Sequence, residues 1–389
     1  MKLALIRRQF AATGGAELYL QRLMEALTAK GHEIHLFAES WNQPPEGASL
    51  HSIPVTGSRA ERSTRFAKAV KAAVVKEHYD CVFSLERTLK QDVYRAGDGV
   101  HKVWLERRRQ FAPWWSRPFI GGGGFHRNMM RLEKHTFDPA NTGHVIVNSD
   151  MVKQEILENF TFPEERIHLV RNGVNVDRFH SGDRAGTRKR FGVEDDDFLL
   201  LFVGSGWKRK GLKYLLRAAA GLESMQQDNS MGRFSRELID GEEEYPNVPK
   251  NRVRLLVVGK GKKPSGAPDN VIFAGPMSDT ENAYAAADLF VFPPIYEPCS
   301  NVVFEAQAAG LPAITSRQNG ASELIEEDVN GSVLDDPADV TALIFAICHW
   351  ASRRMTMDRI DTDRLELDRN VEETLRVLEL AASEKGGAR

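Results

Sequence analysis

Short apolar runs alternate with longer stretches of helical periodicity along most of the chain. In the first half these segments are Lys2–Ile6, Ala16–Ala29, Glu33–Ala38, Arg59–Lys76, Cys81–Leu85, Val145–Val147 and Val152–Asn159. Parallel strands need long crossovers, which are usually helices, so the alternation indicates βα units and a parallel sheet.

A second series of the same kind begins after Asn172–Gly173. Its members are Phe198–Val203, a helix from Leu212, Val253–Val258, Val271–Phe273, Leu289–Phe292, a helix that ends at Gly310, and Ala313–Thr315. A chain of 389 residues also suits two domains. The sequence therefore predicts an α/β protein of two Rossmann-like, doubly wound parallel-sheet domains that face each other across a cleft. Such sheets bind ligands beyond the carboxyl ends of their strands, so we expect the active site in that cleft.

We place the domain boundary near Phe179, which gives domains over residues 1–178 and 179–370. The last helix, residues 371–389, is expected to pack back on the first domain. Residues 223–251 are polar, acidic and long for a connection between a helix and a strand. We interpret them as a surface insertion, to which the sequence assigns no chemistry.

Composition excludes several classes of protein. The formal net charge of -2 indicates no charged partner for the chain as a whole, and no motif for nucleic-acid binding is present. Cys81, Cys299 and Cys348 match no zinc-ligand or disulfide pattern. The first apolar run is too short for a signal peptide, and no stretch is long enough to span a membrane. These features predict a cytoplasmic protein.

Tyr296–Pro312 (YEPCSNVVFEAQAAGLP) contains the most informative motif. It follows an apolar run and predicts a helix that begins near Ser300 or Asn301. The start of a helix offers backbone N–H groups and a positive dipole end, which suit a diphosphate. Glu297 and Glu305 would accept hydrogen bonds from sugar hydroxyls, with Glu305 on the ribose and Glu297 on the transferred sugar. Two solvated glutamates are the alternative.

Leu200–Gly211 (LLFVGSGWKRKG) is an apolar run, a glycine-broken loop and three cations. Arg209 and Lys210 are the residues we expect to stabilise a departing diphosphate. The Asp-x-Asp triplets that bind a metal in other transferases occur only at 195–197 and 361–363, where both suggest polar surface. Side-chain cations and the helix start would then replace a metal, and no cofactor is expected. A solvated basic turn is the competing interpretation.

A glycine pair, Gly14–Gly15, lies between the first strand and its helix in Ala12–Glu17. Glycine allows a ligand to approach the backbone closely, although a tight turn is the simpler interpretation. The chain has no GxGxxG and no GxxxxGK[ST] motif, so neither a dinucleotide-binding nor a P-loop function is indicated.

Together these motifs resemble the retaining glycosyltransferase family 4, whose B-type fold is a pair of Rossmann-like domains. The resemblance lies in GG-x-E near the start, Asn172–Val174, VG…KRKG and E-x7-E with its AAGLP ending. VGSGWKRKG and Asp92–Asp98 (DVYRAGD) are most similar to the lipopolysaccharide core glucosyltransferases, which add glucose to a heptose. Many family members have an arginine directly after VG, where this chain has Ser205, so Arg209 would supply that charge.

The resemblance implies a role for each matched residue. The donor-binding set would be Gly14, Gly15, Gly204, Arg209, Lys210, Phe273, Gly275, Glu297, Ser300, Asn301, Val302 and Glu305. The backbone around Phe273–Gly275 would contact the base. The catalytic set would be Asp98, Glu297, Arg209 and Lys210, with Asp98 on the acceptor side. His101 is a rival for that acceptor role, and a turn residue is the alternative interpretation of Asp98.

The activity implied by the resemblance is transfer of a hexose, glucose first, from UDP-glucose or another nucleotide-diphosphate sugar. The acceptor would be a glycan or glycolipid such as lipopolysaccharide core, and the anomeric configuration would be retained. A monomer without a metal is expected. A sugar-nucleotide epimerase or phosphorylase, a two-domain sugar-binding protein and an inactive relative remain as alternatives.

Val103–Phe137 interleaves aromatic residues with arginines around a run of four glycines. Its members are Trp104, Phe111, Trp114, Trp115, Phe119, Phe125, Arg107, Arg108, Arg109, Arg117, Arg127 and Arg131. Tryptophan and arginine together suit a headgroup interface, so residues 103–137 predict peripheral contact with an anionic membrane. The positive charge would also suit acceptor phosphates. A local core formed by Trp114 and Trp115 is the alternative.

Overall fold

The computed structural model describes residues 1–9, 15–41, 46–227, 248–353 and 365–387. Its contacts divide the chain into two compact units, one of Met1–Asn172 with Asp368–Arg389 and one of Gly173–Leu367. Most of the proposed insertion, residues 228–247, lies outside the described residues.

The first unit contains a parallel sheet in which seven strands are described, in the order β3-β2-β1-β4-β5-β6-β7. The strands are β1 Lys2–Ile6, β2 Glu33–Ala38, β3 Ala48–Ser52, β4 Cys81–Ser84, β5 Gln91–Arg95, β6 Thr142–Val147 and β7 Ile167–Leu169. The helices between them are α1 Gly15–Ala29, α2 Arg59–Val74, α3 His101–Gln110, α4 Gly124–Thr136 and α5 Asp150–Asn159. Leu3 and Leu5 of β1 lie in one apolar cluster, and Ala4 and Ile6 lie in another, so this central strand is apolar on both faces.

The second unit contains a parallel sheet in which six strands are described, in the order β10-β9-β8-β11-β12-β13. They are β8 Phe198–Val203, β9 Val253–Val258, β10 Val271–Gly275, β11 Leu289–Phe292, β12 Ala313–Ser316 and β13 Gly331–Leu334. Its helices are α6 Val176–His180, α7 Arg184–Phe191, α8 Leu212–Gln227, α9 Thr280–Ala286, α10 Asn301–Ala308 and α11 Val340–Ser352. Both sheets reverse strand order beside their first strand, so the fold class of two doubly wound α/β units is confirmed.

The last helix, α12 (Leu367–Gly387), belongs to the first unit. Its buried face, which includes Val371 and Leu378, lies in one apolar cluster with Leu3 and Leu5 of β1. Lys385 Nζ also lies 2.7 Å from Asp92 Oδ2 at β5.

The division between the units falls after Asn172, six residues before the end of the first domain proposed from sequence. The residues between these positions pack on the second unit. Val174 and Val176 lie in its core, and the Arg178 guanidinium donates to Glu281 Oε2 at 2.6 Å. Composition cannot show this because the segment is as polar as a linker.

No helix in the described ranges is both long and apolar enough to cross a membrane.

Candidate active site

The loops that follow the strands of the second sheet all leave its carboxyl edge, because the strands are parallel. Two of these loops carry five of the twelve proposed donor-binding residues. The loop after β8 holds Gly204, Arg209 and Lys210, the loop after β11 holds Glu297 and Ser300, and the loop after β12 leads to Asn319. One edge of one sheet therefore brings these motifs together.

Lys210 lies against Gly204 and Phe292. A Cβ atom on Gly204, whose φ is +150°, would lie 2.7 Å from Lys210 Nζ, so this position has no room for a larger residue. The ammonium lies 5.4 Å from the centre of the Phe292 ring. Burial lowers the pKa of Lys210, and the nearby Glu297 carboxylate opposes that change. Lys210 is thus a partly desolvated cation, unlike the exposed Lys208 two residues before it.

Arg209 and Glu297 form an ion pair within this edge. Arg209 Nη1 donates to Glu297 Oε2 at 2.5 Å and to the Tyr296 carbonyl oxygen at 3.2 Å. The Glu297 backbone is held in turn, since its N–H donates to the Gln318 carbonyl and its own carbonyl accepts from Gly320 N. The pair orients both charged groups at the start of α10.

Glu305 lies on α10 with its carboxylate next to a buried tyrosine. The Tyr284 hydroxyl donates to Glu305 Oε2 at 2.8 Å and lies 3.3 Å from the Val302 carbonyl oxygen. Burial raises the pKa of Glu305, while the Tyr284 hydrogen bond and the Arg178 guanidinium oppose the rise. One oxygen of the Glu305 carboxylate is thus held by the Tyr284 hydroxyl.

The start of α10 is organised by the buried amide of Asn319. Its Nδ2 donates to Ser300 Oγ at 2.8 Å and to Thr315 Oγ1 at 3.0 Å. Its Oδ1 accepts from the backbone N–H groups of Ser300 and Ala321, both at 3.2 Å. Ser300 is the N-cap of α10 but makes no capping bond with its own side chain. Asn319 therefore holds the Ser300 hydroxyl. Asn301 and Val302 follow in the first turn of α10.

We expect Asn319→Ala to lower the free energy of unfolding of the second unit by about 3 kcal/mol, because four buried polar groups lose their partner. Chemical denaturation with intrinsic fluorescence measures the change. Gln318→Ala, next in sequence, removes one donor bond to the Asp335 carbonyl and should cost under about 1 kcal/mol. Equal midpoints for the two variants would contradict the role of Asn319.

The segment proposed to contact the base lies at the end of β10. Phe273 packs against Trp207 with ring centres 5.7 Å apart, and the Trp207 indole donates to the Gly204 carbonyl at 2.9 Å. Gly275 follows at φ +73° and accepts a hydrogen bond from Gly259 N at 2.8 Å. The loops after β8, β9 and β10 are thereby linked.

The first unit places Asp98 at the carboxyl edge of its own sheet. Asp98 is exposed, three residues after β5 and three before His101, the first residue of α3. His101 Nε2 lies 3.0 Å from His126 Nδ1. Burial, with Arg87 next in importance, lowers the pKa of His101 to about 4, so its imidazole is neutral at pH 7. Of the two acceptor candidates, His101 therefore carries no positive charge at pH 7.

Gly14 lies outside the described residues, and Gly15 begins α1. Just before them, Arg7 and Arg8 follow β1 and contact Glu86, which follows β4. Arg8 N donates to Glu86 Oε1 at 3.2 Å, and Arg7 Nη1 lies 3.4 Å from the same oxygen. Burial raises the pKa of Glu86; Arg7 opposes the rise and Asp98 adds to it. Glu86 and Asp98 are thus close enough to interact.

Within the described residues, no group of three or more His, Cys, Asp or Glu side chains could hold a metal ion. The triplet at 195–197 lies before β8, at the opposite edge from the candidate site, while the triplet at 361–363 lies outside the described residues.

Two family models match the chain. The model described as Glycosyltransferase Family 4 matches residues 13–178, and the model described as Glycosyl transferases group 1 matches residues 197–353. They follow the order of the two units and together span most of the sequence. The chain belongs to the two-domain glycosyltransferases.

Relatives of this glycosyltransferase are similar along most of their length. It is 23% identical over 338 residues to the lipopolysaccharide glucosyltransferase WaaG of Escherichia coli, covering 83% of this chain and 82% of that protein. It is 26% identical over 370 residues to a D-inositol 3-phosphate glycosyltransferase of Geodermatophilus obscurus, covering 86% and 77%.

Solved structures place this glycosyltransferase in the B-type fold. A crystal structure of WaaG superposes with a TM-score of 0.72 at 23% identity, covering 98% of each chain. The Anabaena protein HepE, in complex with UDP and glucose, superposes with a TM-score of 0.65 at 18% identity, covering 97% of this chain and 99% of that one. The B-type fold expected from the sequence motifs is thus confirmed.

Sequence reasoning missed several residues that hold the site of this glycosyltransferase in place. Asn319, Tyr284 and Glu86 have no motif of their own. Asn319 and Tyr284 each contact a motif residue more than ten positions away, and Glu86 contacts Arg7 and Arg8. An asparagine shortly after a strand was the only local signal for Asn319.

Proposed function

We propose that this glycosyltransferase moves glucose from UDP-glucose to a glycan or glycolipid acceptor such as lipopolysaccharide core, with retention of configuration. The second unit would bind the donor and the first unit the acceptor. The observation that carries the proposal is the Arg209, Lys210 and Glu297 cluster beside Glu305 on one sheet edge. It combines cations for a diphosphate with carboxylates for sugar hydroxyls. The names of WaaG and of the HepE complex with UDP and glucose support this donor and acceptor.

Each proposed residue has one role in the transfer. Arg209 and Lys210 would stabilise the departing diphosphate, Glu305 would bind the ribose, and Glu297 would bind the glucose. The C1–O bond to the β-phosphate breaks as the acceptor oxygen bonds to C1 on the same face. The acceptor proton passes to the departing phosphate oxygen, and UDP leaves. The protein contributes orientation and charge, and Asp98 would orient the acceptor hydroxyl. We propose that no metal is needed and that the monomer is active.

A product assay tests this proposal. The protein is incubated in EDTA with UDP-[¹³C]glucose and deacylated lipopolysaccharide core, and the one-bond C1–H1 coupling of the product reports its configuration. An α-linked glucose with release of UDP is expected. A β-linked product would contradict retention, and conversion of UDP-glucose without acceptor would favour the epimerase. GDP-mannose replaces UDP-glucose as the control donor.

We propose that the protein is cytoplasmic and contacts an anionic membrane, and exposed aromatic side chains on the first unit support the membrane contact. Trp114, Trp115 and Phe119 lie in a 3-10 helix and are 76%, 63% and 82% exposed. The alternative, a local core of Trp114 and Trp115, is wrong, because the buried cluster there is formed by Leu105, Ala112 and Ile120. Those three smaller side chains fill the space beneath the turn, and the two tryptophans remain outside.

We expect the double variant Trp114→Ala/Trp115→Ala to lose at least about tenfold in affinity for phosphatidylglycerol vesicles, because two large amphipathic side chains leave the interface. Co-sedimentation with vesicles measures it. Val75→Ala is a matched control, since Val75 is 73% exposed elsewhere on the same unit. Equal sedimentation of wild type and the double variant would contradict the membrane contact.

A further inference from the structure

Glu133 of α4 is a buried carboxylate that lies in none of the sequence motifs. It is 1% exposed and lies against Arg87, which follows β4 and is 8% exposed. Arg87 Nη2 lies 3.0 Å from Glu133 Oε1, and Arg87 Nε donates to the same oxygen at 3.2 Å. The two side chains form a buried ion pair that joins the loop after β4 to α4.

The start of α3 takes its hydrogen-bond acceptors from Glu133. Val100, the N-cap of α3, makes no capping bond, because its apolar side chain cannot accept from the first turn. The His101 N–H donates to Glu133 Oε1 at 2.6 Å, and the Lys102 N–H donates to Glu133 Oε2 at 3.2 Å. A carboxylate from another helix therefore caps α3.

Arg87 holds the turn that leads into α3. Its Nη2 donates to the Gly99 carbonyl oxygen at 2.7 Å. The Gly99 N–H donates in turn to the Ala96 carbonyl at 3.1 Å, with a φ of +66° that suits glycine. Asp98 lies within this turn, and its side chain is exposed. The Arg87–Glu133 pair thus holds the backbone that follows Asp98 at one carbonyl and two N–H groups.

The position of the Arg87–Glu133 pair favours a role in orientation over a role in stability. Burying two charges removes their hydration, so a buried ion pair stabilises a protein little more than apolar side chains of the same size. Apolar side chains, however, bind no carbonyl oxygen and no N–H group. A side chain on backbone that is held in this way reaches its reactive position with less loss of freedom.

On the basis of the function proposed above, we propose that Glu133 is a positioning residue for transfer to the acceptor and acts through Asp98. Together with Arg87 it fixes the turn from Ala96 to Gly99, which sets the direction of the Asp98 carboxylate toward the acceptor hydroxyl. Glu133 is itself buried and would contact neither sugar. Its loss therefore lowers kcat for transfer and leaves the affinity for UDP unchanged.

The test is a double-mutant cycle on transfer from UDP-glucose to deacylated lipopolysaccharide core. Glu133→Gln keeps the shape of the side chain but cannot accept from both N–H groups through both of its terminal atoms, and should lower kcat about tenfold. Asp98→Ala should lower kcat about thirtyfold. The double variant should be no slower than Asp98→Ala alone, because a residue that acts through Asp98 then has nothing left to position.

Thr136→Val is the matched control for lost stability. Thr136 is buried one turn further along α4, and its hydroxyl donates to the Thr88 carbonyl at 3.1 Å. Its kcat should stay within about twofold of wild type although a buried hydrogen bond is lost. Glu133→Gln leaves Arg87 charged and buried. If circular dichroism shows that this variant does not fold, Glu133→Gln/Arg87→Met, which lacks both charges, replaces it in the cycle with the same expected loss.

A double variant as slow as Asp98→Ala alone supports the proposal. Losses that multiply to about 300-fold overturn it, because Glu133 would then act by a route that does not include Asp98. An equal loss in Thr136→Val, or a weaker affinity for UDP in Glu133→Gln, also overturns it. If wild type binds UDP but transfers no glucose, the proposed function is contradicted and the role of Glu133 fails with it.

Discussion

Lys210→Met is expected to lower kcat/KM by about 10³-fold, the largest loss of any single substitution in the candidate site. The Lys210 ammonium lies between Gly204 and the Phe292 ring, where burial lowers its pKa and removes part of its hydration. A cation in such a place regains favourable interactions when an anion binds, most of all when the diphosphate departs. Methionine keeps the packing on Phe292 and removes only the charge.

Steady-state kinetics with UDP-glucose measure this effect, and circular dichroism confirms that the variant is folded. Lys208→Met is the matched control, because Lys208 is exposed in the same loop. We expect its kcat/KM to stay within about twofold of wild type. Normal turnover by Lys210→Met, or an equal loss in both variants, would remove Lys210 from the catalytic set.

Glu305→Ala is expected to raise KM for the donor about 10²-fold with a smaller change in kcat. A carboxylate that accepts hydrogen bonds from two ribose hydroxyls contributes in the ground state and in the transition state alike, so its loss weakens uniform binding. Glu305 is held by the Tyr284 hydroxyl at 2.8 Å, which fixes the direction of the carboxylate.

Two further substitutions separate the charge of Glu305 from its position. Glu305→Gln keeps the shape and one acceptor oxygen, and should raise KM about tenfold. Tyr284→Phe keeps the carboxylate but loses the bond that orients it, and should raise KM less than Glu305→Ala does. An unchanged donor KM in Glu305→Ala would contradict the ribose assignment.

The fold could be predicted from sequence wherever strands are apolar. β1, β2, β8, β9 and β11 have the bounds that their apolar runs indicate. By contrast, β3 (Ala48–Ser52) is an edge strand with mostly exposed side chains, and β5 (Gln91–Arg95) is polar. Their hydrogen bonds to neighbouring strands, and not their own composition, make them strands.

The residues of the candidate site that lie in short sequence motifs could be predicted from the sequence. KRK and E-x7-E placed Arg209, Lys210, Glu297 and Glu305 on one sheet edge, because parallel strands share a carboxyl end. The pairing of Arg209 with Glu297 was not predictable, since it joins residues 88 positions apart.

We propose that this glycosyltransferase binds a nucleotide-diphosphate sugar without a metal. A thermal-shift screen in EDTA against UDP, GDP, UDP-glucose, GDP-mannose, NAD and free sugars tests it most directly, because a ligand that binds only the folded state raises Tm. We predict that UDP and UDP-glucose raise Tm in wild type and that Lys210→Met abolishes the shift. If only free sugars raised Tm, or if none of the nucleotides raised it, metal-free binding of a nucleotide-diphosphate sugar would be contradicted.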